Sequence, residues 1–117
     1  MKTILNQEQT IKLIKLGVPA EKATGKVCCL INDSGRSFPQ RAFTLADLFE
    51  ILPKEMSYDN KLYELHIDWM NSAWWTSYQW DGIKGSSTLE CKSEELIDAL
   101  YELACWYYGE YLKSKEK

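Results

Sequence analysis

The sequence predicts an α+β fold: a meander of three or four antiparallel strands, covered on one face by helices, with the N-terminal helices at a side. Two observations predict it. The stretch Tyr63 to Trp80 alternates with period two, the repeat of strands that bury one face. The stretches Thr44 to Leu52 and Ser93 to Lys113 instead place apolar residues at helical spacing behind a capping residue. With 117 residues, 45% of them hydrophobic, the chain has the length and core material of one domain over 1–117.

In chain order, Asn6 is a good N-cap for a first helix over Gln7 to Leu16, and Gln9 three residues on completes a capping-box pattern. Gly17 supplies the left-handed C-terminal residue, Val18 folds back toward Leu13, and Pro19 blocks continuation and opens a short second helix over Ala20 to Ala23. Val27 to Ile31 reads as a short buried strand, and Asn32 to Gly35 as a turn. Phe38 to Phe43 reads as a ragged edge strand, since Pro39 cannot donate to a central ladder. Thr44 caps the next helix, with Asp47 near its positive end and Phe43 and Leu48 at staple spacing. Its apolar stripe is Leu45, Leu48, Phe49 and Leu52, and Pro53 ends it. Lys54 to Asn60 reads as a polar loop.

The register of the central hairpin follows from its alternation. With Asn71-Ser72 as a two-residue turn, Trp69 faces Trp74, Ile67 faces Thr76, Leu65 faces Tyr78 and Tyr63 faces Trp80, all on one face. Trp69, Trp74 and Trp80 are therefore expected in the core, and Trp75 on the outer face. Asp81-Gly82 is a second hairpin signal, followed by a weak polar strand through Gly85 to Thr88 that recovers at Leu89 and Cys91. The last helix is expected to start at Ser93. It carries a stripe of Leu96, Leu100, Leu103, Tyr107 and Tyr111, widened by Ile97, Ala104 and Tyr108.

Chemistry-bearing motifs are sparse. His66 is the only histidine, and it shares the outer strand face with Asp68, Ser77 and Trp75. A serine, a histidine and an aspartate on one surface invite a hydrolase reading, but an open sheet face offers no oxyanion hole or nucleophile elbow. Cys28, Cys29, Cys91 and Cys105 form no Cys-x-x-Cys pair, so they are expected to be reduced, buried thiols, with no metal site. No glycine cluster makes a phosphate cradle, and no cofactor is implied. The net charge of −3, without a basic stripe, disfavours a nucleic-acid backbone as partner. Leu13 to Ala23 resembles a helix-turn-helix only superficially, because its second piece carries no row of phosphate-binding groups. No apolar window reaches membrane-span length and no signal peptide opens the chain, so no membrane partner and a cytoplasmic setting are expected.

Aromatic residues outside the core point to contact surfaces. Trp75, with His66, Asp68 and Ser77 beside it, and Trp106, at the border of the last helix's stripe, form the candidate interaction surface. The segments Leu16 to Ala20, Thr44 to Pro53 and Glu94 to Leu103, with the Trp-rich hairpin between the last two and an aromatic tail, resemble a group of small proteins of gut Bacteroides-type bacteria and their phages or mobile elements. The resemblance covers most of the chain. It implies bacterial or phage origin and a cytoplasmic setting, and it implies no activity. The leading expectation is thus a non-enzymatic interaction or accessory module that binds another protein or itself. A small enzyme or ligand-binding domain using the His66/Asp68 face comes second, and a nucleic-acid binder third.

Overall fold

The structure, a computed structural model, describes residues 2–30, 37–58, 61–80 and 90–115. Helix α1 spans Gln7–Lys15 and opens with the expected box: the Asn6 side chain accepts from the Gln9 amide at 2.8 Å, and the Gln9 side chain accepts from the Asn6 amide at 3.1 Å. It closes at Gly17, whose φ is 117°, with the Val18 amide donating to Leu13 O. The expected second helix is a single 3-10 turn, Ala20–Lys22.

Strands β1 (Gly25–Leu30) and β2 (Ser37–Ala42) form a separate antiparallel pair. The N-terminal segment extends this layer. Ile4 bridges Thr44, Leu5 N–H donates to Phe43 O, and Leu45 N–H donates to Thr3 O. Gly25 lies so close to this crossing that a Cβ would sit 2.7 Å from both Ile4 Cδ1 and Thr44 Cγ2. Any side chain there would force Ile4 and Thr44 to shift.

Helix α2, Leu45–Ile51, has the Thr44/Asp47 capping box, and Phe43 and Leu48 are both buried. Its facing differs from expectation. Asp47 is itself buried, because it also accepts from the Thr24 amide and hydroxyl. At about 100° per residue, the arc from Asp47 through Ile51 and Leu48 to Leu52 then faces inward. Phe49 falls just beyond that arc and is 42% exposed.

The main sheet has the order β3-β4-β5-β6, antiparallel throughout. Strand β3 is Glu55–Tyr58, inside the segment expected to be a loop. Its Met56 is buried in the core, and the hydroxyl of Tyr111, far along the chain, donates to Ser57 O. Strands β4 (Lys61–Met70) and β5 (Ala73–Trp80) pair in the expected register: Trp69 opposite Trp74, Ile67 opposite Thr76, Leu65 opposite Tyr78 and Tyr63 opposite Trp80. Asn71 and Ser72 both take positive φ, 52° and 60°, as a mirror-image two-residue turn requires. Strand β6 is Cys91–Ser93. The Asn32–Gly35 turn, the Asp81-Gly82 hairpin and the Gly85–Thr88 strand lie outside the described residues.

Helix α3, Leu96–Trp106, is capped at Glu95, two residues later than the expected cap Ser93. Ser93 ends β6 instead, and its hydroxyl accepts from the Glu95 amide. The helix packs on β5 and β6, where the Thr76 hydroxyl donates to Ala99 O at 3.0 Å. A π-helical turn, Tyr107–Tyr111, follows, and then α4, Leu112–Lys115. The extra residue of the π turn re-aims the tyrosines. Tyr108 OH donates to Ile51 O at 2.6 Å, Tyr111 OH to Ser57 O, and Tyr78 OH to Pro53 O at 2.7 Å. Three phenols thus fix the chain from α2 into β3. The core consists of Leu5, Leu13, Phe43, Leu48, Leu52, Tyr78, Ile97, Leu100 and Leu103, all fully buried or nearly so.

Candidate functional site, the β4 edge and the outer sheet face

Period-two geometry puts Glu64, His66, Asp68 and Met70 of β4, Trp75, Ser77 and Gln79 of β5, and Lys92 of β6 on the face away from α3. Four of the five expected contact residues are therefore together: His66 opposite Ser77, and Asp68 opposite Trp75. Trp106 is elsewhere. It lies on the helix side, with its ring 6.4 Å from Tyr78 and 5.9 Å from Tyr111, beside a groove lined by Lys12, Leu16, Glu102 and Cys105.

The outer face is less open than alternation alone suggests. Ser77 is only 4% exposed, and its Oγ accepts from Gln79 Nε2 at 3.2 Å. A small side chain on a central strand sits below the level of its larger neighbours. Trp75 is half-buried. Its Nε1–H donates to Met70 O at 3.2 Å, and Lys92 Nζ stands 5.2 Å from its ring, within cation–π range. Among the described residues, Lys92 of β6 and the Met70 carbonyl of β4 are thus what Trp75 meets on this face.

The largest departure concerns Trp69. It belongs to the helix-side face, as expected, but it is 55% exposed and not core. The helix layer sits on β5 and β6, one lane away. Trp74 and Trp80 are half-buried, and Lys61 Nζ lies 4.4 Å from the Trp80 ring. Among the described residues the exposed large hydrophobics are Ile11, Ile14, Phe49, Leu62, Trp69 and Met70. Three of these six belong to β4, and Phe49 lines a shallow depression along the same strand with Lys54, Glu55, Glu64, Leu65 and Ile67.

Backbone geometry makes β4 distinctive. The lane beside it is filled by β3 only as far as Glu55 opposite Glu64, and then by Lys54 O, which accepts from Leu65 N–H at 2.9 Å. Leu65 therefore points its backbone groups away from β5. In an antiparallel ladder the direction alternates, so Ile67 and Trp69 also point theirs away from β5. Their N–H and C=O groups have no partner among the described residues. The sequence held no sign of this, because β3 itself was not legible. The cost of an open edge is what makes it a candidate site.

Burial, with the Glu102 carboxylate second, pushes the Cys91 thiol up to about 12. Burial also raises Cys105. Neither is an activated nucleophile. Among the described residues no three His, Cys, Asp or Glu side chains group as metal ligands, and no helix is long and apolar enough to cross a membrane.

No protein-family model, no curated protein and no solved structure matches the chain.

Proposed function

We propose that this chain is a protein-interaction module, an accessory protein of a bacterial mobile element or phage working in the cytoplasm. One observation carries the interaction reading: exposed Trp69 and Met70 end β4 beyond the last residue that β3 pairs with, and exposed Phe49 lines the depression beside Ile67 of the same strand. Exposed apolar residues scattered singly need no explanation, but a group at an incomplete strand edge is what a partner covers. The sequence resemblance supports the setting.

The test is site-specific photo-crosslinking in the cells from which the sequence comes, with the crosslinker at Trp69 or Met70 and, as control, at exposed Glu21 of the 3-10 turn. A discrete adduct from the β4 positions and none from Glu21 is expected. The same diffuse adducts from all three positions would refute the reading.

A further inference from the structure

We infer that the free stretch of β4, His66 to Met70, receives an extended segment of another protein as a strand in the lane that β3 leaves empty, and that this segment carries a Lys or Arg flanked by apolar residues. The inference rests on the interaction reading above and names its partner's chemistry.

The backbone argues for a strand. Ile67 and Trp69 offer two N–H and two C=O groups along one line, in the spacing that an extended peptide answers. Among the described residues the lane is clear from the position opposite His66 onward, with Lys54, opposite Leu65, its last occupant. A segment of about five residues, some 17 Å long, fills it. The π-turn residues Tyr108 and Tyr111 hold Ile51 and Ser57, and Tyr78 of β5 holds Pro53, so the end of the β3 lane is fixed and the gap is preformed.

The side chains argue for the segment's composition. On the helix side, residues opposite Ile67 and Trp69 would lie beside the depression lined by Phe49, Leu65 and Ile67, and so would be apolar. On the outer side the strand presents Asp68, exposed, with Glu64 four residues before it and half-buried His66 between them. A cation opposite Asp68 is the complementary neighbour, since opposite charges attract across strands and like charges repel.

The same charge argues against a second copy. Antiparallel self-pairing must avoid Lys54, and the register centred on the free stretch sets Asp68 against Asp68 of the other copy. Those would be a non-hydrogen-bonded pair, with Cα atoms only about 4.5 Å apart. Moving the centre to Trp69 brings Ile67 opposite Asn71, which has left the strand for the turn.

The probe is a display library of random ten-residue peptides, followed by solution affinities of the selected peptides. Selected sequences are expected to alternate, with Lys or Arg between two apolar residues. Binding should fall at least tenfold with Ile67→Pro, which removes an outward N–H and leaves the β5 ladder intact, and with Asp68→Lys. It should also fall at least tenfold when alternate amides of the peptide are N-methylated. The methylation arm uses the unaltered protein, so it decides the matter even if Ile67→Pro does not fold. Peptides that bind regardless of methylation and of Ile67→Pro, but lose binding with Trp69→Ala or Phe49→Ala, would overturn strand addition and leave the interaction reading standing. Binders insensitive to every one of these changes, or no binders at all, would count against both. A dimer seen by sedimentation that Ile67→Pro disrupts would replace the foreign segment with a second copy.

Discussion

The rings of Trp69 and Trp74 lie 5.2 Å apart, tilted by 58°, directly across the hairpin from each other. This pair reports on register, because a slip by one residue would send the two rings to opposite faces. Circular dichroism of the protein should show a tryptophan exciton couplet that disappears in Trp69→Phe. A couplet that survives the substitution would mean that the rings are not paired.

The turn beside that pair is strained by its sequence. Ser72 adopts φ of 60° without being glycine. The left-handed region costs most residues roughly 1–2 kcal/mol that glycine does not incur. Ser72→Gly should stabilise the protein by about 1 kcal/mol in urea denaturation, with the Trp couplet unchanged. Destabilisation would show that the turn has another geometry.

Gly25→Ala should destabilise by roughly 1–3 kcal/mol, as overpacking does. The added methyl meets Ile4 Cδ1 and Thr44 Cγ2. The double change Ile4→Val with Thr44→Ser removes both side-chain obstacles, leaving only Ala42 O at 3.1 Å, and should recover part of the loss. Equal melting behaviour of Gly25→Ala and the parent protein would refute the close crossing.

Asp47 predicts an acid transition. Burial opposes its charge, but hydrogen bonds from the Thr44 and Thr24 backbone and side chains outweigh this and hold its carboxyl below the ordinary range. Its folded pKa is therefore the lower one. Its stabilisation is complete above the unfolded value near 3.8, and it is lost as pH falls through the folded value. Asp47→Asn should cost about 1–2 kcal/mol at neutral pH. The gap between variant and parent should shrink in denaturation series run toward low pH. A gap independent of pH would show that the carboxylate is not the stabilising form.

Burial of Cys91 predicts unreactive chemistry. A thiol pushed up to about 12 is almost wholly protonated at pH 8, and the thiolate is the nucleophile. Iodoacetamide should leave Cys91 unlabelled in the native protein and label it after denaturation. Rapid native labelling would place it at the surface.

Local signals were legible in the sequence because they act over a few residues. The two capping boxes, the Gly17 stop and the β4–β5 register all follow from spacing within one or two elements. What escaped depends on distant partners. Glu55–Tyr58 becomes a strand with Met56 buried and Ser57 O bonded by Tyr111, while Tyr108 and Tyr78 bond the carbonyls of Ile51 and Pro53 just before it. Phe49 turns outward because Thr24 draws Asp47 inward. Trp69 stands exposed because the helix layer is centred on β5 and β6, and alternation reports a face but not what covers it. Of the candidate site, the outward set of His66, Asp68, Ser77 and Trp75 was readable, whereas the open edge, a property of where β3 ends, was not.

Amide hydrogen exchange along β4, resolved by residue, tests the open edge most directly and needs no partner. His66, Asp68 and Met70 point their amides into the ladder with β5, whereas Ile67 and Trp69 point theirs out. In the isolated protein Ile67 and Trp69 should exchange much faster than the residues on either side of them, and an added strand should slow these two selectively. Uniform protection from Leu65 through Met70 in the isolated protein would mean that the lane is already filled, and would contradict the binding edge.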